Sequence, residues 1–255
     1  MSDVVKIKNK KTGTYPVAFH LNGDENLNAH GYEIYNVVKP HFKKCSASDA
    51  DKVTLCFAKW GRASGRKCIM EETLNTMELP WFNIADEYTS GGLKGRRQLI
   101  KKPKMLRDSL SKIKTEYIMG WDITDTFFTT TPNKIVERFE SEFDCDMLFN
   151  AELVCYPQEA RELYETWNNY DEIVNKSPFR FLNSGLWIAK TDFCREIIDD
   201  VIKTKKLVHM GSWPGDQGVF QQVYKKYYPR IQVDSECKIF QATCNIQDEC
   251  LQVIK

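Results

Sequence analysis

The chain of 255 residues has no apolar run approaching the roughly 18 residues that span a bilayer, so no transmembrane helix is expected. Its opening residues, Met1-Ser2-Asp3-Val4-Val5-Lys6, lack the long apolar core of a secretory leader. The nine cysteines are odd in number and none stands in C-x-x-C spacing. That argues against a disulfide framework or a cysteine-built zinc site, and for reduced thiols in a cytoplasmic setting. There is no internal repeat, no low-complexity tract and no Gly/Ser/Pro linker. No G-x-G-x-x-G follows an early strand, which disfavours a dinucleotide-dependent dehydrogenase. A formal net charge of +1 excludes neither nucleic-acid nor protein partners, because the distribution of charge matters more than its sum.

What is present is a chain with 42% hydrophobic and 12% aromatic residues, enough for a substantial core. Residues 53–58 and 115–121 read as short buried strands, as do 146–149, 181–189, 231–233 and 238–240. Helical patterns cover about 64–77, a basic segment that Pro103 kinks, a helix opening at Pro132, and 159–167, 197–202 and 218–227. Strands alternating with helices predict an α/β fold whose mostly parallel sheet carries helices on both faces. The prediction is one domain over 1–255, with a less regular segment at 1–50 appended to a core at 51–255.

Chemistry gathers first at Trp121-Asp122-Ile123-Thr124-Asp125. Two carboxylates three residues apart close the apolar run Tyr117-Ile118-Met119, at the strand end where open α/β sheets bind ligands. Such a pair either caps a turn or offers oxygen ligands to a hard divalent cation on a diphosphate. A second concentration is basic: Lys94, Arg96, Arg97, Lys101, Lys102, Lys104 and Arg107 precede Asp108 with no acid among them. It reads either as a solvated helix face or as a site for phosphates. Trp121, Tyr156, Trp187 and Trp213 are candidates to stack on a base or an acceptor.

Several pieces together resemble the glycosyltransferase domain of procollagen lysyl hydroxylases and their viral relatives. Ser90-Gly91-Gly92-Leu93-Lys94-Gly95-Arg96 is similar to the Gly-rich stretch of that family, and Gly120-Trp121-Asp122-Ile123-Thr124-Asp125 to its D-x-x-D strand end. Phe149-Asn150-Ala151-Glu152 with Cys155-Tyr156-Pro157 resembles F-S-A-E and C-W-P, and Phe181-Leu182-Asn183-Ser184-Gly185 contains L-N-S-G. Gly215-Asp216-Gln217 matches the end of an acidic D-Q segment, and Lys238-Ile239-Phe240-Gln241 contains I-F-Q. Order and spacing agree from about residue 53 to 250. The histidine of the family's H-G-N-G motif, which follows I-F-Q in relatives, has its counterpart at the opposite end, in His20-Leu21-Asn22-Gly23. That displacement reads as a circular permutation. Leu21 and Asn26 stand where the family has glycine and lysine, Tyr156 where it has tryptophan, and the acidic run shrinks to Asp216.

The resemblance implies a GT-A-like, Rossmann-like fold and transfer of a hexose from a UDP-sugar to a hydroxyl. It implies a metal held by Asp122, Asp125 and His20, with Mn²⁺ favoured over Mg²⁺ at a mixed carboxylate–imidazole site. Lys94, Arg96, Asn22 and Gly23 would hold the diphosphate, while Asn183, Ser184, Gly185 and Tyr156 would line the donor and acceptor pockets. Asp216, then Glu152, are the candidate catalytic carboxylates. The expected acceptor is hydroxylysine in a collagen-like protein. A hydroxymethylated base in DNA is the alternative, and a non-catalytic nucleotide-sugar-binding module is a third reading. No membrane partner is expected, and a homodimer is compatible with the sequence.

Overall fold

The strands are β1 (Lys6–Asn9), β2 (Ala18–His20), β3 (Val53–Phe57), β4 (Phe82–Asn83), β5 (Tyr117–Trp121), β6 (Thr126–Phe128), β7 (Met147–Glu152), β8 (Phe181–Lys190), β9 (Ile231–Val233), β10 (Phe240–Ala242) and β11 (Leu251–Ile254). The helices are α1 (Ala29–Val38), α2 (Ile69–Met77), α3 (Lys102–Ser109), α4 (Pro132–Glu142), α5 (Arg161–Glu165), α6 (Tyr170–Ile173), α7 (Thr191–Lys203) and α8 (Gln217–Tyr227). This computed structural model describes residues 5–22, 28–59, 68–91, 101–204, 215–246 and 250–254.

The main sheet has the order β4-β3-β5-β8-β7-β9. β4, β3 and β5 run parallel to one another, as do β7 and β9, and β8 alone is antiparallel to both its neighbours. Alternation along the strands divides their side chains between two cores. Ile118, Phe149, Leu182 and Ala189 face one side with α3, α7 and α8, through Met105, Leu106, Ile197 and Val223. Tyr117, Met119, Leu148, Leu186 and Ile188 face the other with α2 and α4, through Met70, Leu74, Ile135 and Phe139. The predicted α/β architecture, mostly parallel and covered on both faces, is the one observed. No helix among the described residues is long and apolar enough to cross a membrane.

The N-terminal segment is more regular than its sequence suggests. β2 lies between β10, which it joins in parallel, and β6, which it joins antiparallel, so His20 stands opposite Thr126 and Ala242. β1 pairs antiparallel with β11, with Lys6 opposite Ile254. These short strands pair only with partners distant in sequence, which a local pattern cannot reveal.

Three boundaries differ from expectation. Pro103 sits in the first turn of α3 and starts that helix instead of kinking it, because its missing N–H is one the first turn does not need. The expected helix over 159–167 is a 3₁₀ turn at Gln158–Ala160 followed by the short α5. The expected strand over 238–240 begins only at Phe240. The backbone N–H groups of Lys238, Ile239 and Phe240 instead donate to the fully buried Asp234 carboxylate at 2.7–2.8 Å. That carboxylate launches β10, and with it the seat of β2. Asp234→Ala should leave buried donors unsatisfied and lower unfolding free energy by about 3 kcal/mol, measured by urea denaturation. A loss below about 0.5 kcal/mol would contradict this account.

Candidate active site

The site forms along the edge where the parallel strands end, the ligand-binding edge of an open α/β sheet. β5 delivers Asp122, and the turn over 122–125 then leads into β6. The turn is fixed from several sides. The Thr126 hydroxyl donates to the Asp122 carbonyl at 2.5 Å, and Asp122 N–H donates to the Gly185 carbonyl at 2.8 Å. Leu21 N–H donates to the Asp125 carbonyl at 2.8 Å, which ties the end of β2 to this turn.

His20 therefore reaches the two acids from β2, the strand paired beside β6. Its Nε2 lies 3.7 Å from Asp122 Oδ2 and 3.6 Å from Asp125 Oδ2. One ligand atom from each of the three residues fits within 4.8 Å of the others. The imidazole is buried, and its seat requires Gly185, where a Cβ would come within 2.2 Å of the ring. Asn183 Oδ1 accepts the Gly185 N–H at 2.9 Å and lies 2.8 Å from His20 Nδ1. With that oxygen acting as acceptor, Nδ1 carries a proton and Nε2 is the ring nitrogen that faces the carboxylates. The two carboxylates favour positive charge at Nε2, which either a proton or a metal ion supplies. Burial lowers the His20 pKa, but Asp125 and Asp122 outweigh it and raise the value to about 9. The donor set of one imidazole and two carboxylates thus fits a divalent metal ion.

Around this cluster stand the two further carboxylates. Asp216, just before α8, is buried, and burial pushes its pKa up while Lys102 opposes the shift. Lys102 Nζ donates to Asp122 Oδ1 and lies 3.7 Å from Asp216 Oδ2, so one ammonium bridges the metal cluster and Asp216. Glu152 ends β7 and accepts from Asn183 Nδ2 and Asn22 Nδ2, both at 3.0 Å, and from Gln217 Nε2 at 2.7 Å. Burial raises the Glu152 pKa to about 7, against the opposing pull of those donors and His20. A cavity of ≈ 30 Å³ adjoins the cluster, lined by Lys102, Gly120, Ser184, Trp187, Asp216 and Phe220 among others.

The predicted residues His20, Asn22, Asp122, Asp125, Glu152, Asn183, Ser184, Gly185 and Asp216 thus meet in one place. Asn183 and Ser184 lie inside β8, opposite the irregularity of β7 between Phe149 and Asn150. Tyr156 stands at the rim with its side chain exposed, and its carbonyl accepts from Gln217 and Gln221 at 2.5 and 3.1 Å. Trp187 is buried over Gly120, where a Cβ would fall 2.0 Å from the indole. Gly23, Lys94, Arg96 and Trp213 lie outside the described residues.

Two site residues escaped the sequence reading. Lys102 was one of seven cations in its segment, and among the described ones it is the one that reaches Asp122 and Asp216. Lys104 and Arg107 pair with Asp108, and Arg107 also approaches Asp199. Gln217 holds three groups at once, because its Oε1 also accepts the Ser184 N–H at 3.1 Å. No sequence pattern reports such an arrangement.

An α/β sheet with a candidate metal site at its C-terminal edge is a construction that glycosyltransferases share. The profile of the PLOD GT domain matches residues 77–254, and the chain belongs to that family of glycosyltransferases. Mouse xyloside xylosyltransferase 1, in its apo form, is a similar solved structure, aligned over 84% of this chain and 82% of that one. The two share 12% sequence identity, with a TM-score of 0.42. No curated protein matches the chain significantly.

Gly185→Ala should push the imidazole off its seat and weaken any divalent-metal binding at least roughly tenfold by isothermal titration, with the melting transition still cooperative. The raised Glu152 pKa gives a second expectation. A carboxyl whose folded pKa exceeds its unfolded value favours the fold below about 4.5 and loses that contribution as pH rises through about 7. Glu152→Gln should therefore gain stability relative to the parent protein between pH 5 and 8, read by denaturant titration at each pH. A pH-independent difference would contradict the assignment.

Proposed function

We propose that the protein transfers a hexose from a UDP-sugar to the hydroxyl of hydroxylysine in a collagen-like polypeptide, with a divalent metal, Mn²⁺ in preference to Mg²⁺, as cofactor. The observation that carries the reading is the convergence of His20, Asp122 and Asp125 within 4.8 Å beside the Lys102–Asp216 pair. His20, Asp122 and Asp125 would hold the metal, whose charge offsets that which accumulates on the departing diphosphate. Lys102 supplies a second positive charge at the same place and is, among the described residues, the side chain best placed to meet a diphosphate oxygen.

In the transfer the acceptor oxygen forms a bond to the anomeric carbon, the bond from that carbon to the diphosphate breaks, and the hydroxyl proton leaves. Asp216 orients the acceptor hydroxyl or faces the developing positive charge of the sugar. Glu152, poised near neutrality and held by Asn22, Asn183 and Gln217, is the second candidate to receive the proton. Asn183 and Ser184 bound the donor pocket, and the exposed ring of Tyr156 marks the acceptor side.

Family membership favours hydroxylysine over a DNA base. Among the described residues of the basic segment, Lys102, Lys104 and Arg107 are engaged with Asp122, Asp108 and Asp199. A circular permutation accounts for the motif order. β1 lies against β11, and the family match over 77–254 leaves out the segment that supplies His20.

Incubation with Mn²⁺ and a panel of UDP-sugars, followed by mass spectrometry, should show a hexose added to a hydroxylysine peptide and none to hydroxymethylated DNA. Asp125→Ala should remove at least about 99% of that transfer, a loss of roughly 3 kcal/mol in transition-state stabilisation, with the circular dichroism spectrum unchanged. Parental turnover in that variant would overturn the site assignment.

A further inference from the structure

No acidic residue occurs between Asp3 and Asp24, and this stretch carries Lys6, Lys8, Lys10 and Lys11. Strand alternation turns Ile7 and Asn9 into the protein and leaves Lys6 and Lys8 outward. Their partners on β11 are Ile254 and Gln252, so no acid stands opposite them. The turn after β1 is firmly built. Asn9 is fully buried, its Nδ2 donates to Gln241 Oε1 at 2.6 Å, and its Oδ1 accepts the N–H groups of Lys11 and Thr12. Gly13 closes the turn at φ +76°, a conformation that favours glycine. Lys10 and Lys11 project from it, both exposed.

Beside them stands Tyr15, one of few exposed large hydrophobic side chains, with the ammonium groups of Lys6 and Lys8 at 6.0 and 5.8 Å from its ring centroid. Arg138 donates to the Tyr15 carbonyl at 2.8 Å and to the Lys238 carbonyl at 3.1 Å, so it adds a fifth positive charge while fixing the backbone under the tyrosine. The nearby acids Glu236 and Glu142 are taken up by Lys238, at 3.1 and 3.4 Å. Among the described residues, none of Lys6, Lys8, Lys10 and Lys11 forms an ion pair. This is, among the described residues, a local excess of one sign on the two-stranded β1–β11 ribbon.

We propose that the β1–β11 ribbon and its turn form a surface for nucleic acid, where Lys6, Lys8, Lys10, Lys11 and Arg138 meet phosphodiester oxygens and Tyr15 offers a face to an unpaired base. Closely spaced cations on a stiff support suit a polyanion with regular charge spacing, because each contact releases a counterion. An exposed aromatic ring among them suits stacking on a base, as in single-strand binding surfaces. The surface lies at the start of β2 and His20 at its end, so this strand need not enter the catalytic site. The proposal is independent of the acceptor.

The test is fluorescence anisotropy with the intact protein, using a labelled mixed-sequence single strand and the matching duplex, each as DNA and as RNA, across a salt series. Binding should weaken with salt at a log–log slope of about −3 to −3.5 on single strands and about −3.5 to −4.5 on duplex, as expected for four or five phosphate contacts. Lys10→Glu/Lys11→Glu should weaken binding at least tenfold and flatten the slope by about two. Tyr15→Ala should weaken the single strand about fivefold or more and the duplex less. UDP-sugar hydrolysis and the melting temperature should stay unchanged in the lysine variant, so its failure is distinguishable from failure of the transferase reading. Salt-independent binding, or equal affinity in parent and lysine variant, would overturn the proposal. So would binding to phosphatidylserine vesicles without binding to either nucleic acid.

Discussion

The Asn183 side chain fixes which nitrogen of His20 faces the acids, and the rest of the site follows from that one hydrogen bond. Because Asn183 Oδ1 already accepts from the Gly185 backbone, it accepts from Nδ1 of His20, and Nε2 is left to face Asp122 and Asp125. The same Asn183 uses its Nδ2 to hold Glu152, so one amide aligns both the imidazole and a carboxyl whose pKa burial raises. A buried amide with both ends engaged cannot rotate without leaving two buried groups unpaired, which is why it serves as a support for a charged cluster.

Charge balance gives the cluster its second constraint. Asp122, Asp125 and Asp216 bring three carboxylates into one partly buried edge, and Lys102 answers only two of them. Burial opposes the charged forms of His20, Lys102 and Asp122, yet their mutual attraction prevails in each. A region of this kind is stabilised by a bound cation and is suited to receive a ligand that carries diphosphate charge alongside that cation. The basic β1–β11 ribbon is the reverse situation, with positive charge on an exposed surface and no ion pair to its lysines among the described residues.

Much of the architecture was legible because it depends on local alternation. The apolar run ending at Asp122, the proline that opens α4 and the long extended segment over 181–189 all carry a period or a breaker that one stretch of chain displays alone. The segment over 1–50 was not, since β1 and β2 are short and owe their strand form to β11, β10 and β6. Pro103 misled for a related reason. A proline at a helix start and one at a kink have the same sequence surroundings, and only the neighbouring structure tells where the helix begins.

The amino-acid order by itself determined which groups were available: paired acids at a strand end, a histidine followed by Asn22, the Asn183-Ser184-Gly185 stretch and a carboxyl before Gln217. These are properties of residue type and spacing, and they travel with the chain. Tertiary structure decided which of them share a space. It selected Lys102 from a run of cations, turned Gly185 into the seat of an imidazole, and brought His20 across more than a hundred residues to Asp125. Those outcomes depend on sheet register and on contacts below 4 Å between distant segments, and no local pattern encodes such distances.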